Sequence, residues 1–136
     1  MIRPIMQDLL FLTLPSKEAT AEDLPIAQDL LDTLRANREA CVGMAANMIG
    51  QRKRIIAFAD GTKLTAMLNP YIIERAGEYE TEEGCLSIPG VRPTTRYRTI
   101  KVGYQDLQLK GHVKSFSGWT AQIIQHEIDH CNGVLI

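Results

Sequence analysis

At 136 residues and 45% hydrophobic content, the chain has the apolar material for one core and too little for two, so a single domain spanning residues 1–136 is expected. Its 15 basic and 16 acidic residues are interspersed and leave a net charge of -1, which excludes an electrostatic footprint for nucleic acid or an anionic membrane. No early apolar run has the length of a signal-peptide core or a membrane span. Cys41, Cys85 and Cys131, odd in number and widely spaced, form no disulfide framework, so a reducing, cytoplasmic setting is expected.

Residues 1–20 read as an irregular arm in which Pro4 and Pro15 bracket one strand-like apolar run at 9–14. From Ala21 the pattern becomes helical. Leu24, Ala27, Leu30, Leu31 and Leu34 recur at three and four, Glu22 and Asp23 fall in the first turn, and Arg35 and Arg38 fall late, which predicts an amphipathic helix capped by Thr20 and ending near Ala40. Residues 42–50 are small and read as a loop, either letting backbone approach a ligand or letting two elements pack. Residues 54–60 and 63–69 flank an Asp60-Gly61 turn signal and are expected to pair antiparallel. Pro70 interrupts, an acidic stretch at 78–83 reads as a solvated face, and 99–105 with 107–116 alternate as a second hairpin. A helix beginning after Ser117 closes the chain. Strands in hairpins between two helices, without βαβ alternation, predict an α+β fold with a mostly antiparallel sheet, an N-terminal helix and a C-terminal helix.

That last helix carries His126-Glu127-Ile128-Asp129-His130. Two histidines four apart lie one above the other on a helix face and can grip one divalent ion, while the adjacent carboxylate handles the proton of an attacking water. Read alone, the motif is also compatible with two surface histidines on an amphipathic helix.

Three stretches combine to narrow the reading: Cys41-Val42-Gly43-Met44-Ala45-Ala46-Asn47-Met48, Glu83-Gly84-Cys85-Leu86-Ser87 and Gln125-His126-Glu127-Ile128-Asp129-His130. In order and separation they resemble the three signature motifs of the peptide deformylases. The resemblance implies Cys85, His126 and His130 as ligands of one divalent metal, with Fe(II) native and Zn, Ni or Co as substitutes. It implies Glu127 as the proton-transfer residue, the Leu86 backbone N–H as an oxyanion donor, and a groove contacted by Val42, Gly43, Met48, Gly84, Trp119 and Ile123. Asp129 is expected to pair with Arg96 or orient an imidazole. The expected partners are N-formylmethionyl peptides, including nascent chains at the ribosome.

The chain departs from the family pattern G-x-G-L-A-A-x-Q at two places, with Cys41 for the first Gly and Met48 for the closing Gln. A thioether donates no hydrogen bond, so one oxyanion donor is expected to be missing, with Asn47 or Gln51 as substitutes. Trp119 is bulky for its position and is expected to pack in the core rather than narrow the pocket. His112 is expected to be structural, Cys41 and Cys131 to be thiols without catalytic consequence, and the extra C-terminal element of many bacterial members to be absent. Two functions are therefore expected in competition: a hydrolase that deformylates new polypeptides, and a non-catalytic or altered-substrate paralogue that keeps the metal.

Overall fold

In the computed structural model, which describes all 136 residues, the apolar run of residues 55–59 becomes the centre of the molecule. It forms β2 (Ile55–Asp60), and because successive side chains point to opposite faces of a strand, Ile55 and Ala57 enter one core while Ile56 and Phe58 enter another. The first core lies under the amphipathic helix α2 (Leu24–Ala36), where Leu30 and Leu34 meet Met44, Ile55 and Leu68. The second lies under α3 (Gly118–Cys131), where Ile124 and Ile128 meet Ile56, Phe58 and Met67. Burying Phe58 contributes roughly 1.5–3 kcal/mol, and Phe116 meets it edge to face with ring centroids 6.2 Å apart. The α+β, antiparallel expectation holds: five strands, β1 (Gly43–Ala45), β2, β3 (Lys63–Cys85), β4 (Ile88–Gln105) and β5 (Gly111–Ser117), run in that order, each antiparallel to its neighbour.

Several local expectations are corrected. The run at 9–14 is no strand: Asp8 accepts hydrogen bonds from the Leu10 and Phe11 amides and starts a single helical turn, α1 (Leu9–Leu12), of which only Leu12 is buried. Thr20 does begin the next helix, its amide donating to Asp23 Oδ2 at 2.8 Å, through a 3-10 turn at Ala21–Asp23 that leads into α2. That helix stops at Ala36 rather than near Ala40, where the Asn37 side-chain amide takes the Thr33 carbonyl at 2.7 Å. The expected loop at 42–50 is instead the edge strand β1 (Gly43–Ala45) followed by a 3-10 turn (Ala46–Ile49), all of it buried, with Gly50 ending the turn at φ +82°.

The hairpin of β2 and β3 (Lys63–Cys85) forms as expected, Asp60 facing Lys63 across Gly61 at φ +66°. The strand then continues past Pro70 and through the acidic stretch, against expectation. Pro70 falls in a register shift between Leu68 and Tyr71, where its missing N–H breaks no ladder bond, and the acidic residues lie on a two-stranded ribbon with β4 (Ile88–Gln105). The turn of that ribbon is Leu86-Ser87, beside Cys85. β5 begins at Gly111 rather than Leu107, since Asp106 takes the amides of Gln108 and Lys110 and holds 106–110 as a loop before β5 (Gly111–Ser117).

Candidate metal centre and groove

The end of β3 and one face of α3 converge on a point. His126 and His130, one turn apart, present their Nε2 atoms 3.1 Å from each other, and Cys85 Sγ lies 3.4 Å from His130 Nε2. All three donor atoms fall within 4.8 Å of one another. A tetrahedral ion with metal–nitrogen bonds near 2.0 Å and a metal–sulfur bond near 2.3 Å separates its donors by roughly 3.3 to 3.6 Å, close to the 3.1 and 3.4 Å found here, so this donor set suits one divalent ion. The soft thiolate with two imidazoles is suited to Zn or to iron, nickel or cobalt, and poorly suited to Mg or Ca.

Glu83 orients the nearer imidazole. It stands two residues before Cys85 on β3, and its Oε1 lies 2.8 Å from His126 Nδ1. Burial opposes its charge, but His126, Arg96 and Gln122 outweigh that and hold its carboxyl near about 2. A carboxylate only accepts, so His126 Nδ1 donates and Nε2 is the ring atom left to face an ion. Arg96 grips Glu83 with two bonds, Nε to Oε2 at 3.0 Å and Nη2 to Oε1 at 2.7 Å, and reaches Asp129 Oδ2 with Nη1 at 2.6 Å. The expected Asp129–Arg96 pair therefore exists, and it bears on the imidazole through Glu83. Gln122, four residues before His126, donates to Glu83 Oε2 at 2.9 Å. Neither Glu83 nor Gln122 is assigned a role by sequence alone, although i,i+2 spacing to Cys85 and i,i+4 spacing to His126 place both on the right faces.

The two imidazoles differ sharply. Burial disfavours charge on His126, but Glu127, Cys85 and Glu83 overcome it and push the group up to about 10, the signature of a pocket that attracts positive charge. Burial, with the repulsion of His126, pushes His130 down to about 3 and keeps it neutral, as a ligand must be.

Glu127 is 4% exposed, its Oε1 has no hydrogen-bond partner, and burial pushes it up to about 7. Gly43 of β1 makes room for it: a Cβ there would lie 2.7 Å from Ile123 Cγ2 and 2.9 Å from Glu127 Oε2. Only glycine lets the edge strand and α3 approach this closely. Between the edge strand and the β3–β4 turn runs a groove of about 540 Å³, with Val42 and Gly43 on one side, Gly84, Cys85 and Leu86 on the other, and Ile123, His126 and Glu127 on its floor.

Of the expected groove residues, Val42, Gly43, Gly84, Leu86, Trp119 and Ile123 all line it. Trp119 is 61% exposed at the rim, correcting the expectation that it packs in the core; it stands in the first turn of α3. Met48 is not on the wall. It is 1% exposed in the α2 core, against which Cys85 and Leu86 pack, and its sulfur takes the Ala45 amide at 3.5 Å. The proposed substitutes face elsewhere: Asn47 Nδ2 donates to the His130 carbonyl at 2.9 Å, and Gln51 is exposed. Cys41, set aside by the sequence reading, lines the groove with its Sγ 2.8 Å from the Gly43 carbonyl; burial and the Glu127 charge hold the thiol up near about 12, so it is the donor. Cys131 is buried, and His112 pairs with Asp106 at 2.7 Å and stacks on Tyr104, outside the groove.

Known proteins share this fold. The family model described as polypeptide deformylase matches residues 11–136. A peptide deformylase of Clostridium beijerinckii is 53% identical over 136 residues, covering 100% of both chains, and one of Carboxydothermus hydrogenoformans is 39% identical over 97% of this chain and 84% of its own. The Met-Ala-Ser-bound class I type b peptide deformylase of Acinetobacter baumannii superposes with a TM-score of 0.89 at 30% identity, over 99% of this chain and 97% of its own. That of Legionella pneumophila gives 0.89 at 34% identity, over 99% and 83%. The chain belongs to the polypeptide deformylase family.

Proposed function

We propose that this chain is a metal-dependent amide hydrolase that removes the formyl group from the N-terminal formylmethionine of nascent polypeptides, acting as one domain over residues 1–136. The observation that carries the reading is the convergence of Cys85, His126 and His130 beside the buried, unpartnered Glu127 oxygen on the floor of an open groove. Nothing in the fold or among the relatives favours the non-catalytic alternative over it.

Cys85, His126 and His130 hold one divalent ion, natively Fe(II), with Zn, Ni or Co able to replace it; the mixed sulfur and nitrogen donors support this choice. When bound, that ion supplies Lewis acidity toward the formyl carbonyl and lowers the pKa of water. Glu127 Oε1 takes the proton of the attacking water and delivers it to the departing amine. The Leu86 N–H, next to Cys85 on the groove wall, donates to the oxyanion that develops on the formyl oxygen. The peptide lies along β1, whose outer edge is free, with Gly43 pairing to its backbone and Val42, Gly84, Ile123 and Trp119 around the methionine side chain. Met48 acts from behind this wall, through Cys85 and Leu86. No helix is long and apolar enough to cross a membrane, and the balanced charge suits a peptide rather than a nucleic acid; action in the cytoplasm on chains leaving the ribosome follows from the substrate.

The test is purification without oxygen in ferrous iron or nickel, metal content by elemental analysis, and an assay on formyl-Met-Ala-Ser, whose deformylated product is the tripeptide bound in the A. baumannii structure. One equivalent of metal with release of formate is expected. Metal without turnover would overturn the hydrolase reading, and no stoichiometric metal would overturn the site.

A further inference from the structure

The Gly43 carbonyl already has a partner, and that partner is a side chain. β1 is the edge of the sheet, paired only with β2. The Val42 carbonyl accepts from the Ala59 amide at 2.8 Å, and Gly43 faces Phe58, so residue 42 is at a hydrogen-bonded position of the antiparallel ladder and Gly43 and Ala45 at non-hydrogen-bonded ones. The backbone groups of Gly43 and Ala45 therefore point off the free edge. Sulfur meets one outward group of each residue. Met48 Sδ takes the Ala45 amide, and Cys41 Sγ donates to the Gly43 carbonyl at 2.8 Å. Gly43 borders the groove beside Glu127, a Cβ on it falling 2.9 Å from Glu127 Oε2, so the edge that the thiol covers is the one next to the reacting centre.

We propose that Cys41 is a positioning residue whose thiol holds the Gly43 carbonyl in the free protein and gives it up to the backbone N–H of an N-terminal peptide adding to the β1 edge, thereby setting peptide affinity without touching the reacting bond. A buried carbonyl needs a donor, and a thiol is the weakest one available. It satisfies the edge while the groove is empty of peptide and yields to an amide at little cost. Cys41 is only half-buried and borders the groove, so its side chain has room to turn aside. A hydroxyl in the same place would hold the carbonyl more firmly, and no donor would leave it open.

This inference rests on the deformylase reading, and the experiment separates the two. The nickel-loaded protein, Cys41→Ala and Cys41→Ser are titrated calorimetrically with Met-Ala-Ser, and their turnover of formyl-Met-Ala-Ser is measured in parallel. Removing one weak hydrogen bond should tighten Kd and lower KM by about threefold in Cys41→Ala with kcat unchanged, while Cys41→Ser shifts both the other way. A residue that merely packs would move neither in opposite directions. Equal Kd in all three proteins, or a change in kcat at constant KM, would overturn the proposal and leave the deformylase reading standing. Absence of both binding and turnover in the unaltered protein would bring down that reading and this proposal with it.

Discussion

The two walls of the groove are held by different chemistry. On the side of the β3–β4 ribbon, where α3 packs against it, Glu83, Arg96, Asp129, Gln122 and His126 form a closed set of charge-assisted bonds between 2.6 and 3.0 Å, each group fixed by at least one other. On the β1 side, the outward Gly43 carbonyl and Ala45 amide are met by two sulfur atoms, a thiol and a thioether. Charge-assisted bonds are roughly twice as strong as neutral ones, and sulfur partners are weaker than either. The reacting side is thus rigid, as proton transfer and metal binding demand, while the side that admits a peptide is held by contacts that exchange easily.

Breaking the rigid side should have the largest effect. Glu127→Gln keeps the shape and removes the base, and kcat for formyl-Met-Ala-Ser is expected to fall by about 100- to 10,000-fold with metal content unchanged. A fall of less than tenfold would mean that Glu127 is not the group that moves the proton. Next comes Glu83→Gln, which leaves His126 without a charged acceptor and Arg96 with one carboxylate instead of two. Metal affinity, measured by competition with a chelator, should drop about 10- to 100-fold; unchanged affinity would show that the imidazole needs no such partner. The smallest effect belongs to the soft side. Met48→Gln puts an amide where the thioether meets the Ala45 N–H, restoring the residue that the family pattern carries, and kcat should rise, by less than the roughly 100- to 1000-fold that a fully aimed oxyanion donor is worth elsewhere. An unchanged or lower rate would mark Met48 as core filler.

The same division governs what could be read from the sequence. The helix of the metal pair was legible because 3.6-residue periodicity projects His126, Glu127 and His130 onto defined faces, and the first and last hairpins because alternation and Asp60-Gly61 mark them. The β3–β4 ribbon was hidden because Pro70 and the acidic run both resemble breaks, yet a proline tolerated at a register shift and glutamates on a solvated ribbon interrupt nothing. Trp119 was misplaced since its size argues for burial, while its position in the first turn of α3 puts it on the rim. Cys41 was set aside as a thiol without catalytic consequence, since its place on the groove depends on which way a strand edge faces, and edges are a property of the assembled sheet.

The Arg96 triad has a consequence for how the sheet finds its alignment. The ribbon of β3 and β4 beyond Glu74 is largely exposed, with polar residues on both sides, so its hydrophobic pattern does little to choose among neighbouring pairings. Arg96 stands opposite Tyr79, on the same side as Glu83, and Tyr79 reaches Gln122 of α3. A slip of one residue would turn the guanidinium to the far side and strand Glu83 and Asp129 without it. Buried ion clusters add little net stability, but they penalise every arrangement except the one that closes them. Arg96 therefore acts as a registration pin, so that strands aligned in any other way cannot bring Cys85 under the two histidines.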